Sequence, residues 1–147
     1  MSTSIKADMV VIGAGSGGLS VAAGAAQLGL KIVLFEKGEM GGDCLNYGCV
    51  PSKALIAAAT AAHEMRTSKP LGVRASEVAI DFGEVMAHVR TAIATIAPHD
   101  SQDRFEGLGV QVVREAARFI DRRTVVSDSV RVRARKIVIA TGSRAAV

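Results

Sequence analysis

The chain has 147 residues, 49% of them apolar and 3% aromatic, with no tryptophan and a formal net charge of +4. That size suits one domain with a real core, built from Ala, Val, Ile and Leu, and no apolar run approaches the ~18–20 residues of a membrane span. The first eight residues carry no succession of basic stretch, apolar stretch and cleavage site, so nothing marks the chain for export and the cytoplasm is the expected compartment.

In chain order, residues 9–12 (MVVI) are a short apolar run ending at Gly13. An Ala- and Gly-rich stretch follows to Leu28, then Gly29 and a second apolar run at 31–35 (KIVLF). The parse is strand, helix, strand, with Gly29 as the helix C-cap. Residues 54–66 read as a helix of Ala, Leu and Ile, and 69–72 (KPLG) as a loop. Asp81 starts a further helix with Glu84 three residues on as its capping partner. Val85, Met86, Val89, Ile93 and Ile96 give that helix one apolar face, and Pro98 interrupts it. From Val110 the pattern turns to short β runs at 110–113, 124–126 and 130–132, closing with 136–142 (KIVIATG).

Nine of the eighteen Lys and Arg fall between Arg114 and Arg144, opposed there only by Glu115, Asp121 and Asp128. The run VRVRAR at 130–135 alternates with period two, the pattern of a half-buried strand with one solvated face. No aromatic residue interrupts that run to stack a base, so a solvated sheet face is favoured and no nucleic-acid partner is expected.

The stretch GAGSGG at 13–18 is a G-x-G-x-x-G set between a predicted strand and a predicted helix. In such a turn Gly13 allows the tight bend, Gly15 lets the backbone approach a pyrophosphate, and Gly18 lets helix pack on strand. Ser16 and Gly17 complete the loop, and the phosphates sit at the helix N-terminus. Glu36 closes the second strand, where a carboxylate accepts hydrogen bonds from a ribose, with Lys37 beside it. The motif indicates an adenine dinucleotide without choosing between FAD and NAD.

Both cysteines of the chain lie in GGDCLNYGCVPSK at 41–53. In a reducing compartment a close pair is redox-active or metal-binding rather than a structural staple. No second Cys pair exists and His63, His88 and His99 are scattered, so metal binding is a minor reading and no metal site is expected. What remains is a reversible dithiol, which needs a two-electron partner such as a flavin. Residues 50–53 open a helix, placing Cys49 near its N-terminus, an environment that favours the thiolate. Lys53 follows one turn later.

With its cysteines, glycines and lysine in this order, the 41–53 stretch resembles the redox-active disulfide signature of the class I pyridine nucleotide-disulfide oxidoreductases, which include dihydrolipoamide dehydrogenase, glutathione reductase and mercuric reductase. The likeness spans nearly the whole chain: residues 115–119 (EAARF) resemble the segment whose backbone at Ala117 meets the adenine, and Ala140, Thr141, Gly142 and Ser143 resemble the turn that ends the first FAD-binding segment. It implies an α/β fold, a Rossmann-like FAD-binding domain with a parallel sheet, flanking helices and a small antiparallel β-meander. It further implies that Cys44 is the interchange thiol, Cys49 the thiol in charge-transfer contact with the flavin, and Lys53 the positive charge beside the ring. A Cys44–Cys49 disulfide is then expected in the oxidised protein. Gly41, Gly42 and Asp43 border the cofactor.

Two residues depart from the better-known members: Asp43 stands where Thr is usual, and Tyr47 where Val is commoner. The combination with Leu45 and Ser52 leans toward the dihydrolipoamide dehydrogenase and mercuric reductase side. By this resemblance residues 1–147 are the first segment of the FAD-binding domain, with the nicotinamide and dimerisation domains absent from it. NAD(P)H, a disulfide, dithiol or metal-ion substrate and a homodimeric state belong to the full enzyme, and the isolated chain is expected to be inactive. The alternatives are a stand-alone dinucleotide-binding module with no functional cysteine couple, and a non-catalytic interaction domain.

Overall fold

The computed structural model describes residues 3–74 and 77–143; Arg144, the last of the basic run, and the closing residues to Val147 lie outside them. Strand β1 (Thr3–Ile12) leads through α1 (Ser16–Gln27) into β2 (Ile32–Phe35). The short α2 (Gly42–Asn46) is followed by α3 (Cys49–Thr67), α4 (Phe82–Ile96) and α5 (Gln102–Gly107). Strands β3 (Gln111–Val113), β4 (Arg118–Asp121), β5 (Thr124–Val126) and β6 (Val130–Ile139) complete the chain.

All six strands form one mixed sheet in the order β3-β2-β1-β6-β5-β4. The first four are parallel neighbours, and β5 and β4 extend the sheet as an antiparallel meander beyond β6. β2 is buried along its whole length, as a central parallel strand covered on both faces must be. Val33 and Phe35 join Val10, Val125 and Val132 in one apolar cluster; Ile32 and Leu34 join Val11, Leu19, Ala22 and Phe105 in the other, under α1 and α5.

The two β runs read at 130–132 and 136–142 are a single strand, because β1 holds both in one register from Thr3 opposite Val130 to Ile12 opposite Ile139. For the same reason β1 begins at Thr3 rather than at the apolar residues from 9 onward. The alternation in β6 is as expected: Val130, Val132 and Ala134 are buried and Arg131, Arg133 and Arg135 exposed. On its outer side β6 pairs with β5 through Arg131 to Arg133, with two further backbone bonds, from Ser127 N–H to Val130 O and from Ala134 N–H to Arg123 O. Among the described residues nothing pairs with the outer edge of 135–139.

Helix ends follow local chemistry. The Asp81 carboxylate accepts the Glu84 N–H at 3.1 Å, the cap expected from the sequence. Gly29 takes positive φ (74°) just after the last turn of α1, although Leu28 is the capping residue. α5 was not anticipated; Ser101 caps it through the Arg104 N–H, and Phe105 anchors it in the core. β4 was not anticipated either, being exposed along its length. α3 and α4 pack on each other with only Ala54 and Val89 buried, leaving Leu55, Ile56 and Phe82 exposed. No helix among the described residues is long and apolar enough to cross a membrane.

Candidate functional site

The carboxyl ends of the parallel strands are stitched together by backbone hydrogen bonds. Gly13 N–H donates to Phe35 O, Glu36 N–H to Val113 O, and Ala140 N–H to Ile12 O, all within 3.0 Å. From β1 the connections lead to β2 on one side, while β6 lies on the other, so this end is the switch point where open α/β sheets bind ligands. Two recesses meet there. One, of about 510 Å³, is lined by Gly13, Gly15, Glu36, Gly38, Glu39, Gly42, Asp43, Tyr47 and residues 140–143. The other, of about 210 Å³, is lined by Ile12, Gly13, Phe35, Glu36, Lys37, Glu115, Ala116, Ala117 and Thr141. Most of the residues expected to border a dinucleotide are thus brought to one groove. Gly38 and Glu39 join them without any sequence signal of their own, and Tyr47 and Glu115, which the sequence motifs contain but assign no role, join them too.

The glycine loop has the form its chemistry requires. Gly13 adopts φ 104°, and a Cβ on Gly18 would stand 1.8 Å from the Gly13 carbonyl oxygen. α1 starts at Ser16 with no side-chain cap and no acidic residue in its first turn, so the N–H groups of its first turn are free for an anion. Glu36 is fixed from both sides: Oε2 accepts the Ala14 N–H and Oε1 the Gly38 N–H, each at 2.6 Å. Each carboxylate oxygen keeps a second lone pair able to accept a further hydrogen bond. Arg114 donates to Gly38 O and holds the loop after β2 against the end of β3.

The paired glycines ahead of the cysteines join this loop to the next. Gly41 N–H donates to Ala14 O at 2.9 Å, and Gly15 and Gly41 form an isolated parallel bridge. A Cβ on Gly42 would stand 2.7 Å from Gly15 Cα, so only glycine permits this approach. The cysteine segment is therefore joined directly to the glycine loop: Cys44 lies within α2, and Cys49 and Lys53 in the first turns of α3. Tyr47 hydroxyl donates to Glu39 Oε2 at 2.5 Å, tying α2 to the loop after β2, and that carboxylate raises the Tyr47 pKa. Asp43 is exposed on the groove wall, and its carbonyl accepts the Tyr47 and Gly48 N–H groups.

Cys44, half-buried, and Cys49, exposed, are unbonded thiols in this structure. The Cys49 thiol, acting as hydrogen-bond partner, raises the Cys44 pKa above the ordinary thiol range, and partial burial adds to the rise. Cys44 is therefore protonated at neutral pH while both thiols are present. His99 lies in a short helical turn after α4 and gives its carbonyl oxygen to Arg104.

Beside the smaller recess, hydrogen bonds from Ser127 and Ser129 lower the Glu115 pKa from 4.5 to about 2, with the Ser129 N–H bonding Oε2 at 3.0 Å. A depressed folded-state pKa contributes stability above the unfolded value that is lost as pH falls through the folded value. Thermal midpoints should thus decline between pH 4.5 and about 2, and Glu115→Gln should flatten that part of the profile. An unchanged slope in the variant would show that the interaction carries no net stability.

The chain matches the family model "Pyridine nucleotide-disulphide oxidoreductase" over residues 7–147. It is 39% identical over 144 residues to a dihydrolipoyl dehydrogenase of Geobacillus stearothermophilus, covering 95% of this chain and 30% of that one. It is 36% identical over 115 residues to a mercuric reductase of Streptomyces lividans, covering 78% and 24%. The solved Cu(II) complex of the HOCl-induced flavoprotein disulfide reductase RclA from Escherichia coli shares the fold, with a TM-score of 0.72 at 23% identity over 95% of this chain and 29% of that one. The chain thus spans about three-tenths or less of the length of these relatives. The glycine loop, the fixed Glu36 and the cysteine segment joined to them are, with these matches, those of a member of the pyridine nucleotide-disulphide oxidoreductase family.

Proposed function

We propose that this chain supplies the FAD-binding, dithiol-bearing part of a flavoprotein disulfide reductase of the dihydrolipoyl dehydrogenase or mercuric reductase kind. The observation that carries the reading is the backbone junction between the glycine loop and the cysteine segment at Gly15 and Gly41. It joins the two-cysteine segment to the glycine loop, which supports reading the pair as a dithiol beside a dinucleotide. FAD, when bound, supplies a two-electron carrier between NAD(P)H and the cysteines.

The chain's own residues then have distinct tasks. The free N–H groups at the start of α1 receive the pyrophosphate, Glu36 accepts ribose hydroxyls, and Lys37 and the Ala117 backbone border the adenosine end. Residues 140–143 line the far wall. Lys53 would supply positive charge near the ring, and Cys49 would be the thiol that meets it. Cys44 faces the substrate. In the disulfide-reducing direction the two thiols give up two electrons and two protons: one S–S bond of the substrate breaks, the Cys44–Cys49 bond forms, and the substrate leaves as a dithiol. Because Cys44 holds its proton, the exchange requires a base, which in this reading comes from the partner subunit of a homodimer. The higher identity to dihydrolipoyl dehydrogenase over more of the chain favours a lipoamide-type dithiol as the substrate class.

Residues 1–147 tested alone should bind FAD in preference to NAD by isothermal titration. With FAD added they should oxidise NADH or NADPH no faster than free flavin, whether lipoamide, glutathione disulfide or Hg(II) is the acceptor. Positioning two reactants contributes roughly 7–11 kcal/mol toward a barrier, and nothing described in this chain holds a nicotinamide against the flavin. Tighter binding of NAD than of FAD would overturn the cofactor assignment and favour a plain dinucleotide-binding module. Robust turnover by these residues alone would overturn the division of labour.

A further inference from the structure

Five cationic side chains converge on a recess of about 440 Å³: Lys6 of β1, Lys31 ahead of β2, Arg123 in the β4–β5 turn, and Arg133 and Arg135 of β6. Asp8 is the one carboxylate lining it. The recess carries a formal charge of +4, equal to the net charge of the whole chain, so the rest of the molecule sums to zero. Lys6 and Asp8 precede Gly13 by a stretch of extended strand that spans roughly 16–23 Å at ~3.3 Å per residue, which separates the recess from the cofactor groove.

Among the described residues these charges are only partly neutralised. Asp8 accepts the Lys31 backbone N–H at 3.0 Å and meets Arg135 at 3.8 Å, the single side-chain ion pair among the described residues. Asp121, beside Arg133, is engaged with the Arg123 backbone N–H at 2.7 Å. Gathering like charges opposes the compact state, so folding stability does not favour this arrangement.

We infer that the recess docks an acidic, extended segment of a partner protein. Arg131, Arg133 and Arg135 project on one face of β6 at every second residue, a repeat of roughly 6.6 Å that an extended polypeptide with alternate Asp or Glu reproduces. Guanidinium forks donate bidentately to carboxylates. A nucleic-acid strand fits less well: no aromatic side chain lines the recess to stack a base, and Asp8 and Asp121 would interrupt a continuous phosphate track. Carboxylates placed singly avoid both.

Fluorescence anisotropy of the 147-residue chain with a labelled peptide of alternating Glu and Ser, at low and then rising salt, tests the inference. Binding should fall as salt rises and weaken at least about tenfold in Arg133→Glu/Arg135→Glu. The same change of charge placed on α3 and α4, as Arg66→Glu/Arg90→Glu, should leave it within about twofold of the parent. The milder pair Lys6→Gln/Arg133→Gln should weaken binding in the same direction, so that misfolding of the reversed pair does not decide the result. Equal weakening by the recess and control pairs would reduce the effect to net charge and overturn the proposal. So would absence of peptide binding at low salt, or tighter binding of a single-stranded oligonucleotide of equal charge.

Discussion

Saturated with FAD and reduced with a dithiol, the Cys49→Ser variant should show no long-wavelength charge-transfer absorption, while Cys44→Ser should retain it. Such a band needs a sulfur anion against the electron-poor ring. Cys49 is the first residue of α3, whose N-terminus has no side-chain cap, which leaves N–H groups of the first turn unpaired. Cys44 is the thiol that keeps its proton, because Cys49 stands beside it as a hydrogen-bond partner. Serine at position 49 removes the donor itself. Serine at position 44 removes only a competitor for the proton. Anaerobic absorption spectra of the two variants distinguish the roles by loss or persistence of the band, and persistence in Cys49→Ser would reverse the assignment.

The largest expected loss of stability comes from Gly18→Ala, and a neighbouring control separates its cause from helix propensity. A methyl group at position 18 would lie 1.8 Å from the Gly13 carbonyl oxygen and 3.4 Å from Ala140 Cβ. The nearest atom is backbone in the tightest turn of the fold, so relief requires α1 to shift away from β1, at a cost of about 3 kcal/mol. Gly24 lies in the same helix, and a methyl group there meets nothing within 4 Å. Gly24→Ala should therefore stabilise the chain by about 0.5–1 kcal/mol. Urea denaturation of both variants should move the midpoint in opposite directions. Equal shifts would mean that α1 does not pack on the Gly13 turn as described.

What was legible in the sequence is what local chemistry determines. The strand, glycine turn and helix at 9–28 need only their own residues to be recognised, and the Asp81 cap is a pattern four residues long. The split of β6 into two runs failed because Arg133, Arg135 and Lys136 weaken the apolar signal, while the pairing that keeps the strand whole comes from β1, more than a hundred residues away. β4 buries nothing, so its sequence carries no burial signal at all. α5 is short, with Phe105 as its one buried side chain; Ser101 ahead of it was the available clue. At the site, glycines and cysteines could be placed by spacing. The Tyr47–Glu39 tie and the Arg114 contact with Gly38 join segments whose meeting only the tertiary fold decides.

The open outer edge of β6 has a colloidal consequence. Residues 135–139 (RKIVI) offer N–H and C=O groups that are unpaired among the described residues to any matching strand, with Arg135 83% exposed and Ile139 65% exposed. Two molecules meeting edge to edge in parallel register would set Arg135 against Arg135 and Lys136 against Lys136, which repel. In antiparallel register the two cationic ends lie roughly 13 Å apart at ~3.3 Å per residue, still within the Debye length of about 30 Å at 0.01 M, so the repulsion is weaker but persists at low salt. The two positive residues thus act as a gate on self-association whose strength depends on ionic strength. Added salt screens them, with a Debye length of roughly 10 Å at 0.1 M and 3 Å at 1 M. Concentrated solutions of this chain should therefore stay clear at low salt and associate as salt rises, the reverse of the salt response expected for the basic recess.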